Sequence, residues 1–159
     1  MKYFILLIPA LLLLISCINN DIRKIQQSAY ASIQSGSLHI GNDTAIIVAV
    51  ENNEQWKDLQ MHINAYQYEE MSDMQNIAPN HDWQKIKVDF DKEILLLLID
   101  QQKGNPAFKT YISRVEENEK TIEVYWETKP IESGAVSMVM SSPYHIYKMP
   151  KTNKQIIIK

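Results

Sequence analysis

The chain has 159 residues, with 16 basic and 19 acidic side chains and a formal net charge of −3 at pH 7. That length suffices for one domain with a real core, and the mildly acidic balance argues against nucleic acid, because phosphate binding needs a basic field. A single cysteine excludes an internal disulfide and a cysteine-built metal site, and four glycines leave little material for a phosphate cradle.

Lys2 supplies a short positive start, and residues 3–15 form a 13-residue apolar run broken only by Pro9 and Ala10. A bilayer span takes about 20 residues, so the run fits the hydrophobic region of a signal peptide instead. It ends in Leu14-Ile15-Ser16-Cys17, which resembles the bacterial lipobox. The thiol is the nucleophile that accepts a diacylglycerol group, and the small residue before it lets a signal peptidase reach the bond. Residues 1–16 are then the signal peptide, Cys17 becomes the first mature residue, and membrane lipid, palmitate included, is its partner. Two or three acyl chains anchor stably, whereas one is marginal. The alternative is an uncleaved anchor with an incidental cysteine. Ile18 stands where an aspartate often retains a lipoprotein in the inner membrane, so the expected location is the cell envelope, lipid-anchored at the outer membrane.

Residues 17–23 read as a lipidated tether and 24–159 as a single β-rich domain. Between 22 and 35 helical spacing competes with a strand pattern, and Tyr30-Ala31-Ser32-Ile33 favours a strand in the second half. Ser35-Gly36-Ser37 and Gly41-Asn42-Asp43 read as turns. Residues 45–50 are apolar and β-branched, as in a strand buried on both faces. Trp56, Leu59, Ile63 and Tyr66 then keep the spacing of an amphipathic helix, with Asn52 as its cap and Gln55 positioned for a capping box. Residues 69–83 lack a period and read as a loop. Ile86, Val88 and Phe90 alternate with charges and predict the start of a strand. Residues 94–99 are wholly apolar and predict a central strand, followed by a polar loop at 101–106. Residues 108–115 and 121–127 predict a hairpin with Ile122, Val124 and Trp126 inward and Glu123, Tyr125 and Glu127 outward. Residues 138–149 predict one or two strands, Pro143 marking a bend or an edge, and 155–158 a last short one. The expected class is mostly β: an antiparallel β-sandwich or an open barrel-like sheet with one amphipathic helix, α+β being the alternative.

Catalytic signals are weak. No two of His39, His62, His81 and His145 share a helix face at metal-ligand spacing, and no G-x-S-x-G elbow is present. His81-Asp82 is a poor base pair, since adjacent side chains rarely reach each other in the needed orientation. Asp89, Asp91 and Glu93 alternate as a calcium site would, but a solvated strand end is the better reading, and Ile94 stands where an EF-hand loop needs glycine. The expectation is a non-catalytic protein with no cofactor and no metal.

Several landmarks in order resemble the C-terminal domain of the protease-complex subunit lipoproteins of the PrcB type. They are Tyr30-Ala31-Ser32-Ile33 with the 45–50 strand, Trp56-Lys57-Asp58-Leu59 on a helix, the run from Val88-Asp89-Phe90-Asp91 to Leu95, and Ser142-Pro143-Tyr144-His145-Ile146-Tyr147-Lys148-Met149-Pro150. The likeness covers about residues 30–150. Where the family has a Gly-rich loop leading to Gly-Gly-Tyr, this chain keeps Gly104 and Tyr111 but has Lys109-Thr110 at the paired glycines. The resemblance implies a surface-tethered protein-binding or accessory module for an envelope protein, a protease among the candidates. The loop of Gly104, Asn105, Pro106, Ala107 and Phe108 is the candidate partner contact, and it also looks like those of small protease inhibitors. Two other readings stand beside this one. The first is a structural envelope lipoprotein with no specific ligand, which predicts no exposed cluster of Tyr144, Tyr147 and the 104–108 loop. The second is a hydrolase or metal enzyme, which requires His39, His81 or His145 to converge with carboxylates.

Overall fold

A computed structural model describes residues 23–24, 29–71, 83–104, 107–132 and 140–159. In chain order the elements are β1 (Arg23–Lys24), β2 (Ala31–Leu38), β3 (Ile46–Val50), α1 (Asn53–Met71), a 3-10 turn at Trp83–Lys85, β4 (Glu93–Ile99), β5 (Phe108–Glu117), β6 (Thr121–Pro130), β7 (Ser142–Pro150) and β8 (Gln155–Ile158). They form two open four-stranded sheets, β1-β5-β6-β8 and β2-β7-β4-β3. The mostly β, sandwich-like expectation holds. The pairing is antiparallel except between β6 and β8, which run parallel.

The six apolar residues of β4 decide the layering. Side chains alternate across a strand, so Ile94, Leu96 and Leu98 face one way and Leu95, Leu97 and Ile99 the other, and all are buried. A strand that is apolar on both faces needs two covers. The first sheet supplies one, packing Ile112, Val115, Ile122 and Val124 against Ile94, Leu96, Leu98, Tyr147 and Met149. Helix α1 and the segment after it supply the other: Trp56, Ile63, Trp83 and Phe90 pack on Leu95, Leu97, Ile99, Tyr144 and Ile146. Trp56 and Trp83 stack at 5.8 Å, and the Trp83 indole N–H donates to the Tyr144 hydroxyl at 3.4 Å.

The helix start follows the expected cap with one variation. Gln55 N–H donates to Asn52 Oδ1 at 2.9 Å, but the Gln55 side chain returns its bond to the Glu51 amide at 2.8 Å, one residue before the cap. Trp56 and Ile63 are buried and Leu59 half-buried on the core side, and the Tyr66 side chain lies outside the described residues. The hairpin is as expected, Ile122 and Val124 inward and Glu123 and Glu127 outward.

Several expectations need correction. Ser35-Gly36-Ser37 is not a turn but runs inside β2, opposite His145, Tyr144 and Pro143. Gly36 is required there by a close approach, since a Cβ would lie 3.0 Å from Tyr144 Cε1. The 42–43 region does turn, with Gly41 at φ +57°. Residues 86–89 form no strand; Ile86 and Val88 pack as extended chain on the helix-side core, and Asp89 closes a turn by accepting the Lys92 and Glu93 amides. Residues 69–71 are helical rather than loop. Pro143 marks neither bend nor edge, for β7 lies between β2 and β4. Its missing amide falls at the strand's start, and its carbonyl still accepts the Asp100 N–H at 2.9 Å. Arg23, read as tether, pairs with Glu117 in β1. The strand expected to be buried on both faces spans 46–50 and sits at the sheet edge: Ile47, Val48 and Ala49 are only half-buried, Ile46 is 36% exposed and Val50 alone is buried.

The glycines give a contrasting pair. Gly36→Ala is expected to cost about 1–3 kcal/mol, because buried Tyr144 cannot give way. Gly104→Ala, with nothing within 4 Å of the added carbon, is expected to change stability by less than about 0.5 kcal/mol. Chemical denaturation followed by tryptophan fluorescence measures both.

Candidate functional site

The sequence pointed to Cys17 and to the 104–108 loop. Cys17, Asn105 and Pro106 lie outside the described residues. Gly104 follows an isolated bridge between Lys103 and Ser141. The Ala107 carbonyl accepts the Ile131 N–H at 2.7 Å, and Phe108, half-buried, opens β5 opposite Pro130. Lys109 and Thr110 are regular strand residues facing Lys129 and Thr128. Thr110 is buried and its hydroxyl meets that of Thr128 at 2.8 Å. This is β-sheet geometry, which a threonine fits better than glycine.

The loop leaves from a braced corner. Asn42 Nδ2 donates to the Thr44 and Asp100 carbonyls at 2.8 and 3.0 Å, and its Oδ1 accepts from the Ser142 hydroxyl. Asp100, 7% exposed, pairs with Lys103 at 3.0 Å and accepts the Gln101 amide. Two exposed apolar side chains stand at this same end, Ile131 at 46% and Met140 at 55%, with His39 Nδ1 bonded to the Met140 carbonyl. Tyr144 and Tyr147 do not join them. Both are buried, on opposite faces of β7.

The arrangement that most resembles catalytic machinery is elsewhere. His145, 3% exposed on β7, faces the first sheet. Its Nδ1 lies 2.9 Å from the Thr110 carbonyl. A carbonyl only accepts, so Nδ1 carries the proton, and Nε2 is left to accept from the Ser32 hydroxyl at 2.6 Å. The Tyr147 hydroxyl sits 3.1 Å from the same Nδ1 and accepts the Ile112 N–H at 3.1 Å, while the two rings stack at 4.1 Å. β1 pairs with β5 only at Glu116 and Glu117, so among the described residues Thr110 and Ile112 have no strand on that side. His145 and Tyr147 bond the backbone groups that a neighbouring strand would bond.

Chemically, Ser32 and His145 are a nucleophile beside a base. The base is poor. Burial pushes the imidazole below the ordinary histidine range, and the positive charge of Lys109 adds to that. Its Nδ1 faces a carbonyl rather than a carboxylate, so a charge forming on the ring would lack the partner that a triad provides. The Ser32 bond joins β2 to β7 within one sheet, and the Thr110 bond ties that sheet to the other.

The other sequence candidates do not converge. His39 and His62 each meet a backbone carbonyl, and His81 lies outside the described residues. Asp89, Asp91 and Glu93 behave as a solvated strand end: Lys92 bonds Asp89 at 2.8 Å and holds its carboxyl below the usual range, and Lys148 pairs with Glu93 at 3.1 Å. Among the described residues no group of three potential ligands gathers. The Ser32–His145 bond spans 113 positions and had no sequence signal, but the alternation along β7 placed His145 on the Tyr147 and Met149 face. No family model matches the chain, and no curated protein and no solved structure matches it.

The imidazole sets a pH dependence. With its folded pKa below the unfolded 6.5, the unfolded chain binds the proton more readily. His145 therefore contributes stability in full above about pH 6.5, lost as pH falls from there through the folded value. Denaturation midpoints across pH 8 to 5 are expected to fall in the wild type. In His145→Asn the midpoint is expected to be lower at pH 8 but flatter below it.

Proposed function

We propose that this chain is a lipid-anchored envelope lipoprotein whose folded part works by contact with another envelope protein, not by catalysis. The observation that carries the reading is Leu14-Ile15-Ser16-Cys17: the only cysteine of the chain stands where an export-length apolar run ends in a small residue. An uncleaved anchor fits the run less well, because it is short for a span.

The geometry of the body supports a division between its two ends. β1 pairs with β5 at Glu116 and Glu117, beside the hairpin turn, so the segment leading back to Cys17 joins the body there. Six residues reach about 20 Å when extended. The 104–108 loop begins at the other end of β5, about 30 Å along the strand at 3.3 Å per residue. Acyl chains on Cys17 would keep the hairpin turn within about 20 Å of the bilayer surface. The likeness to the PrcB type makes an envelope protease the partner class to examine first, as subunit or as inhibitor-like contact. A structural lipoprotein without a specific ligand is the second reading, and the burial of Tyr144 and Tyr147 favours it.

Cys17→Ser is expected to abolish incorporation of labelled palmitate and to leave the unprocessed precursor, read by gel and autoradiography; wild-type processing would refute lipidation. Capture from detergent-solubilised envelopes is expected to recover a protein with the intact chain and to lose it when residues 104–108 are replaced by a Gly/Ser stretch. Identical partner lists would remove the loop from the account.

A further inference from the structure

The edges of the two sheets are not treated alike. A strand edge presents unpaired amides and carbonyls, and proteins blunt it with shortness, bulges, proline or charge. β2 carries a register shift between Ser32 and Gln34 and a polar sequence. β1 is two residues long. β8 has four residues between Lys154 and Lys159, and the far end of β6 carries Lys129 and Pro130. β3 carries no proline, no register shift and no charge within its span. Its sequence is Ile46-Ile47-Val48-Ala49-Val50, it pairs with β4 through five consecutive rungs without a shift, and among the described residues it has no second neighbour. Four of its five residues keep some exposure, as an open edge requires.

Charge at the two ends of β3 selects what fits. Asp43 precedes it and Glu51 follows it, both exposed and neither in an ion pair among the described residues. A second copy of the chain paired antiparallel about Ile47 would bring Asp43 and Glu51 of the two copies together at each end. Parallel pairing would set each carboxylate beside its own counterpart. Like charges across a pair destabilise it. We infer that the outer edge of β3 accepts an extended apolar segment of a partner protein, flanked at both ends by lysine or arginine, as a fifth strand of the β2-β7-β4-β3 sheet. Main-chain hydrogen bonds would give the affinity, and the end charges the selectivity. The inference does not rest on the anchoring of Cys17 or on the 104–108 loop.

The test uses the full chain in detergent micelles and a fluorescent peptide of five alternating valines and threonines between paired lysines, against the same core between paired glutamates. The basic-flanked peptide is expected to bind saturably and about fivefold more tightly. Asp43→Lys/Glu51→Lys is expected to reverse the order, and bound peptide to slow hydrogen exchange at residues 46–50. Absence of saturable binding, protection confined to another strand, or a preference untouched by the double reversal would overturn the inference. So would concentration-dependent protection of residues 46–50 without peptide, which would make a second copy the occupant.

Discussion

The structure depends on one constraint: β4 is apolar on both faces, so the sheet that contains it must be covered twice. The first sheet and helix α1 are the two covers, and each has its own core. Burying a large aliphatic side chain is worth roughly 1.5–3 kcal/mol, and β4 buries six in succession. β7 beside it takes the same two-sided role with Tyr144 and Ile146 toward the helix and Tyr147 and Met149 toward the sheet. The stacked Trp56 and Trp83 then fix where the helix and the chain segment after it lie.

Burial alone would leave β5 with open backbone groups against that core. Unpaired buried amides and carbonyls are costly, and the chain meets the need with side chains instead of a strand. His145 donates to Thr110 and Tyr147 accepts from Ile112. This is why a histidine sits in a wholly covered position, and why its neutral form is the one the fold holds. A group fastened on both nitrogens, with its basicity lowered by burial, is poorly suited to moving protons for a reaction. The surface is where this fold differs from an idealised sandwich: among the described residues β3 has one neighbour only, and Ile131 and Met140 are left exposed.

Much of the architecture was legible in the sequence. The apolar run at 94–99, the helical spacing of Trp56, Leu59 and Ile63, and the alternation at 122–127 each carry a strong local signal. What escaped was set by tertiary context. Gly36 reads as a turn residue, but its lack of a side chain serves the Tyr144 ring one strand away. Ile86, Val88 and Phe90 alternate because they line the helix-side core, not because they pair. The apolar 45–50 stretch reads as a strand buried on both faces, yet it lies at an edge with Val50 alone buried, because no sequence pattern says whether a strand has one neighbour or two. The site was less legible than the fold: the loop candidates were read from a resemblance, and the Ser32–His145 contact joins segments that only folding brings together.

The proposal is that the chain works through contact and that the Ser32–His145 pair is structural, His145 fastening β7 to β2 of its own sheet and to β5 of the other. Treatment of the full chain with a fluorophosphonate, followed by intact mass and peptide mapping, tests it most directly. The account predicts an unchanged mass and an unmodified Ser32. A single stoichiometric adduct on Ser32, absent in His145→Asn, would contradict it and make the pair a reactive centre.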